Sequence, residues 1–149
     1  MQLTKHFKLS ELTVTKTGID NTPNPEHLPR LYQLAYALEV LRAGAHASKP
    51  LIITSAYRNA RVNKAVGGVP NSAHTDGYAA DYHVSMQPHL RTANAAALYL
   101  TAQNVPFDQL IYEPSRGIVH LSIDPAYRRQ ILTQQGGAGS PFLPGIVGT

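Results

Sequence analysis

The chain has no cysteine and no tryptophan. Without cysteine there is no disulfide framework, no thiolate zinc finger and no thiol nucleophile. Any metal therefore has to be held by histidine and carboxylate. Charged residues make up only 15% of the 149 positions and hydrophobic residues 43%. That is too apolar for disorder along the whole length. It is also the size of one ordinary domain, with no room for a second full one. No apolar run is long enough to span a bilayer. The start, Met1 to Ser10, lacks the long apolar stretch of a secretory signal. Synthesis in the cytoplasm, without export through a standard signal, is the expectation, as is a monomer that inserts into no membrane.

What is present is more specific. Seven histidines in so short a chain are a reason to look for a metal, and 13 Lys and Arg against nine Asp and Glu give a net charge of +4. Mild basicity suits an anionic partner such as a cell-wall polymer. The basic residues are dispersed and not interleaved with aromatics, so a nucleic-acid partner has little support. The 11 glycines and 11 prolines follow no period.

Along the chain, residues 1–24 read as irregular, anchored by Phe7, Leu9 and Leu12. Asn24-Pro25-Glu26 is a helix start, with an N-cap, a first-turn proline and a first-turn acid. Leu28, Leu31, Leu34, Leu38 and Leu41 then recur at helical spacing to about Ala45. Leu51 to Tyr57 is a short β-branched run and reads as a buried strand. Arg58 to Val66 reads as a short helix, Tyr78 to Val84 as a second strand, and the stretch from Pro88 to Asn104 as a second long helix. Gln109–Glu113 and Ile118–Ile123 flank the tight turn Pro114-Ser-Arg-Gly117 and predict an antiparallel hairpin. The fold class is α+β: a small, mainly antiparallel sheet packed with two long helices. Residues 1–133 form the domain, and the Gly- and Pro-rich stretch 134–149 reads as a loosely held tail.

The chemistry concentrates in Ser72-Ala-His74-Thr-Asp-Gly77-Tyr-Ala79-Ala-Asp81. His74 lies at a loop edge and Asp81 inside an apolar strand, with Gly77 between them to permit a sharp turn. A lone loop histidine or strand carboxylate usually signifies nothing. A charge inside an apolar strand, however, needs a metal or a cation partner. His120, between Val119 and Leu121, raises the same question. Two imidazole nitrogens and one carboxylate oxygen make a usual catalytic zinc set with the fourth tetrahedral position left for water. Magnesium or calcium would prefer more oxygens.

The pattern Ser72-x-His74-x-x-Gly77-x-Ala79-x-Asp81, preceded by Ser55-x-Tyr57-Arg58 and followed by a strand histidine, resembles the M15 family of zinc D-Ala-D-Ala peptidases. The similarity is closest to the branch found in bacteriophages and prophages. Phe7-x-Leu9-Ser-Glu11, Asn21-x-Pro23, Gly67-Gly68, Gln109-Leu-Ile-x-Glu113 and His120-Leu-Ser122 also fit that branch. The resemblance implies a fold shared with Hedgehog signalling domains and one zinc per chain on His74, Asp81 and His120. It implies Arg58 as the group that meets the substrate's carbonyl or carboxylate, a role that suits a fixed, always-charged fork. It implies Ser72 as a contact to the substrate backbone, against the plainer reading of a turn-capping serine. In several branches a glutamate stands three residues before the last histidine, and here that position is Gly117. Glu113 is the substitute, because the hairpin turn can bring it beside His120. Asp108 and Asp124 lie at the wrong ends of their strands.

The implied activity is zinc-dependent hydrolysis of peptidoglycan stem peptides, as a D-Ala carboxypeptidase or an endopeptidase, in phage lysis or as a tail-associated part of a virion. Glu113 would be the general base and Arg58 would stabilise the oxyanion. The alternative from another class is a non-catalytic zinc-containing module that binds the wall or builds a virion. His83, on the same strand face as Asp81, is expected outside the metal's own shell or at the surface. Tyr57, Tyr78, Tyr82 and Tyr112 are expected mostly to pack, and His6, His27, His46 and His89 to lie at the surface.

Overall fold

The structure, a computed structural model, describes residues 1–148. Helix α1 (Leu9–Leu12) is a single turn that buries Leu12, and Phe7 just before it is buried as well. A 3-10 turn at Pro25–His27 runs directly into α2 (Leu28–Gly44), which buries Leu31, Leu34, Ala35, Leu38 and Leu41. These positions repeat every three to four residues and form one stripe along the helix. Strand β1 (Leu51–Ser55), helix α3 (Ala60–Ala65), strand β2 (Ala79–Val84) and helix α4 (His89–Ala102) come next. The chain then adds β3 (Gln109–Glu113), β4 (Ile118–Ser122), β5 (Gln130–Thr133) and β6 (Leu143–Pro144). The sheet has the order β1-β2-β4-β3-β5-β6. Every pairing is antiparallel except β3 with β5. The mixed α+β class and the β3–β4 hairpin are as the sequence implies.

Strand alternation divides this sheet into two chemically different faces. Ala80, Tyr82 and Val84 of β2, Leu110 and Tyr112 of β3, and Val119 and Leu121 of β4 belong to the same buried core as the stripe of α2 and Ala93, Ala96 and Leu100 of α4. The residues between them, Asp81, Ile111, Glu113 and His120, are carried on the opposite face because successive side chains alternate. The core thus holds the sheet rigid from one side and leaves the polar positions of its central strands on the other.

Three sequence expectations need correction. The C-terminal stretch is not loosely held over its described length. Leu143 pairs with Thr133 in the sheet, Thr133 Oγ1 donates to Gly145 O at 2.8 Å, and Ile146 packs on the core. Thr149 lies outside the described residues. Strand β5 is an addition to the expected elements. His46 is not at the surface: it is buried, with Nε2 2.9 Å from the Tyr82 hydroxyl. His27 is only half-buried and meets the Tyr57 hydroxyl at 3.1 Å, whereas His6 and His89 are exposed.

Burial pushes the His46 pKa down to about 4 from its ordinary 6.5. The folded chain therefore keeps His46 neutral while the unfolded chain protonates it, so this residue's contribution is full above pH 6.5 and is lost as pH falls towards 4. The loss is of order 3 kcal/mol at about 1.36 kcal/mol per pKa unit. Denaturant midpoints measured at fixed zinc should fall less steeply across this window in His46→Gln than in the parent. Parallel curves would show that His46 does not titrate on unfolding.

Candidate metal centre

Register places the first two members of the site. Asp81 of β2 pairs directly with His120 of β4, and His120 in turn pairs with Ile111 of β3. Directly opposed residues on one face of a sheet lie within about 5.5 Å of each other. Here His120 Nδ1 approaches Asp81 Oδ1 to 2.8 Å.

The third member comes from the loop before β2. Gly77 adopts φ +81°, so the chain reverses between His74 and Asp81 as its placement suggests. His74 Nδ1 lies 2.7 Å from the carbonyl oxygen of Ala56. A carbonyl only accepts, so Nδ1 carries the proton and Nε2 presents its lone pair. Ala56 is delivered by β1, whose pairing with β2 slips between Ile53 and Ser55 and leaves Thr54 as the extra residue. A bulge of this kind bends a strand and re-aims the residues beyond it.

His74 Nε2 then faces Asp81 Oδ1 at 3.3 Å. Two acceptors so close are repulsive unless a cation or an additional proton lies between them. Burial opposes the proton by pushing the His74 pKa down. Burial also pushes Asp81 up, but positive charge and hydrogen bonds from the flanking histidines outweigh it and hold the carboxyl well below its ordinary range. The arrangement favours positive charge between His74 and Asp81, and the donor set suits a cation. Among the described residues, His74, Asp81 and His120 each offer a ligand atom and all these atoms lie within 4.8 Å of one another. A tetrahedral zinc with bonds of about 2.0–2.1 Å separates its ligand atoms by about 3.3 Å. The group fits that ion in type and number, and the His74–Asp81 separation of 3.3 Å is of that size.

The centre opens into a cleft of about 340 Å³ whose lining includes Arg58, Ser72, His74, Glu113 and His120. Arg58 is half-buried, and its Nε is buried without a partner. Its Nη2 donates to Ser72 Oγ at 3.3 Å. The same hydroxyl accepts the backbone N–H of His74 at 3.2 Å, which is how a turn-capping serine behaves. Glu113 is buried at the end of β3, two residues beyond Ile111 and so on the face of the sheet that carries His120. His83 does not line the cleft; its ring lies 6.0 Å from that of His89. Tyr57, Tyr82 and Tyr112 are buried and Tyr78 is half-buried, and none of the four lines the cleft.

The structure also accounts for glycine at position 117. Gly117 has φ +65°, and a Cβ there would stand 2.9 Å from His89 Nε2. A glutamate at this position would strain the hairpin turn.

Two features escaped the sequence. Arg116, in the hairpin turn, donates from Nη1 to Glu113 Oε1 at 2.9 Å and from Nη2 to Asp81 Oδ2 at 3.3 Å. The Glu113-x-x-Arg116 spacing across a tight turn was the available signal. Asp108 and Asp124, placed by sequence out of reach, do line the cleft. The Asp108 carboxylate is occupied, however, by three bonds from Arg128 at 2.7–3.0 Å. Asp124 accepts the N–H of Ala126 at 3.1 Å.

The model of a family described as Peptidase M15 matches residues 5–122. That span contains the three-residue group together with Arg58, Ser72, Glu113 and Arg116. No curated protein matches the chain.

Proposed function

The chain belongs to the peptidase M15 family, and from that membership we propose that it hydrolyses the stem peptides of peptidoglycan with one zinc held by His74, Asp81 and His120. The observation that carries the reading is the convergence of these three ligand atoms within 4.8 Å, in a cleft that also holds Glu113 and Arg58. Zinc, when bound, supplies Lewis acidity that brings the pKa of a water towards neutrality and polarises a carbonyl.

The chain's own groups do the rest. Glu113 takes the proton of the attacking water and returns it to the leaving amine. Arg58 presents a preorganised cation to the substrate's carbonyl or terminal carboxylate, with its Nη2 held on Ser72. Ser72, whose hydroxyl bonds His74 and Arg58, would be the contact to the substrate backbone. A net charge of +4 favours association with an anionic wall polymer. D-Ala carboxypeptidase and endopeptidase action both suit this cleft, and delivery to the wall in phage lysis or in a virion tail belongs to the same reading. No helix among the described residues is long and apolar enough to cross a membrane.

Digestion of purified peptidoglycan by the zinc-loaded protein, with fragments identified by mass, tests the proposal. Release of free alanine marks a carboxypeptidase, and separated stem peptides mark an endopeptidase. Arg58→Ala should keep zinc and fold but lose turnover by about ten- to a hundredfold, the loss of one charge-assisted contact. Arg58→Lys should rescue poorly, because a point charge cannot replace the fork. A parent protein that releases nothing from any wall preparation would return the chain to the non-catalytic alternative.

A further inference from the structure

We infer that Arg116 is a positioning residue that sets two carboxylates of the centre at once, the base Glu113 and the metal-facing Asp81. The inference rests on the zinc-peptidase reading for what those two groups do.

The backbone of Arg116 is fixed before its side chain is considered. Its N–H donates to Glu113 O at 3.1 Å, and the N–H of Gly117 donates to Pro114 O at 3.2 Å. The positive φ of Gly117 completes the turn. From there the guanidinium reaches partners on two strands that are not neighbours, because β4 lies between β2 and β3. Strands are spaced about 4.8 Å apart, so Glu113 and Asp81 stand on strands about two spacings apart. A planar fork with separate nitrogens can hold both groups, whereas an ammonium presents a single point. The fork therefore bridges β4, the strand that carries His120.

The contacts divide the Asp81 carboxylate between two tasks. Its Oδ1 faces both histidines, at 2.8 and 3.3 Å, while its Oδ2 accepts from Arg116. A carboxylate turns readily about its terminal torsion. Arg116 stops that turn and presents one oxygen to the metal. The same fork draws Glu113 Oε1 to 2.9 Å and fixes the base in one orientation over the cleft. Groups that orient ligands in this way commonly change metal affinity 10–100-fold when removed.

A purely structural ion pair would look different. The Arg116 side chain is 47% exposed, whereas Asp81 and Glu113 are 1% and 7% exposed. Its partners are buried groups of the reaction centre, so its removal should be felt in chemistry and metal binding as well as in the stability of the zinc-free fold, where it compensates Asp81.

The test measures zinc affinity by competition with a chromophoric chelator, and turnover separately, in the full chain. Arg116→Ala and Arg116→Gln should each weaken zinc about 10–100-fold, in samples whose circular dichroism shows an intact zinc-free fold. Arg116→Lys should recover only part of the loss. In a double-mutant cycle, Arg116→Ala should weaken zinc equally with or without Glu113→Gln, but should cost little further turnover once Glu113 has been replaced. Unchanged zinc affinity in both Arg116→Ala and Arg116→Gln would overturn the hold on Asp81, and additive turnover losses would overturn the hold on Glu113. A parent that binds zinc without cleaving wall peptide would remove the substrate reading and the Glu113 half with it. The affinity measurement would still decide the Asp81 half. A parent that binds no zinc would overturn both.

Discussion

Glu113→Gln should leave one zinc per chain and an intact fold while hydrolysis of wall peptide falls by about 10²–10⁴-fold, the usual contribution of a positioned general base. Glutamine keeps the size of the side chain and keeps an oxygen to accept from Arg116 Nη1, now at 2.9 Å from Glu113 Oε1. It cannot accept a proton at neutral pH. The fold should tolerate the change because Glu113 lies on the face of the sheet opposite the helices, outside the hydrophobic core. The two other acids that line the cleft are poor replacements. Asp108 already accepts three bonds from Arg128, and those bonds hold its carboxyl below its ordinary range even against burial. Asp124 is engaged with the N–H of Ala126. Single-turnover rates with a defined stem peptide, alongside metal analysis of the same sample, would measure the effect. A variant that hydrolyses at the parent rate would mean that another group or a chain of waters moves the proton.

The parts of this molecule that could be read from the sequence are those in which a local period reports a global face. The leucines of α2 recur every three to four residues, and the core stripe they imply is the one that is buried. In β2 and β4 Asp81 lies between Ala80 and Tyr82 and His120 between Val119 and Leu121, so both stand out before their pairing is known. The hidden parts depend on partners distant in sequence. Strand β5 is four residues long and is fixed by its parallel pairing with β3, for which its own composition gives no cue. The glycines at 136, 137 and 139 suggest a loose tail, but Thr133 bonds both Gly145 O and the N–H of Val147 and brings the chain back to the sheet. His46 comes after the end of α2 in a short polar stretch, and nothing nearby in sequence indicates that Tyr82 will cover it. Arg116 is hidden for a related reason. Its local partner, Glu113, is visible three residues away, but its second partner, Asp81, lies 35 residues back and meets it only through the register of the sheet.

His120→Ala should abolish stoichiometric zinc, and with it both turnover and any rise in melting temperature on adding zinc. Of the three proposed ligands, His120 gives the cleanest test. His74 is bonded to the Ala56 carbonyl and 4% exposed, so its removal leaves an unsatisfied buried acceptor and a cavity. Asp81 accepts from Arg116 as well as facing the two histidines, so replacing it would strand a cation in the site. His120 has 13% of its side chain exposed, and its one hydrogen bond from the ring is to Asp81. Its neighbours Val119 and Leu121 face the core on the other side of β4 and are undisturbed by truncation. After the substitution two protein ligands remain where a catalytic zinc uses three. Asp81 would not be left uncompensated, since Arg116 Nη2 lies 3.3 Å from its Oδ2. The apo-like fold should therefore persist, which separates loss of metal from loss of structure. A ligand that binds only the native state stabilises it in proportion to the logarithm of its concentration over its dissociation constant. Thermal melts of parent and variant across a zinc series therefore read the site without any assay of hydrolysis. The parent should rise steadily with zinc and His120→Ala should stay flat. Should the variant instead retain one zinc per chain and melt as the parent does, His120 is not a ligand, and the metal has to be sought on His74 and Asp81 with a third group from elsewhere in the cleft.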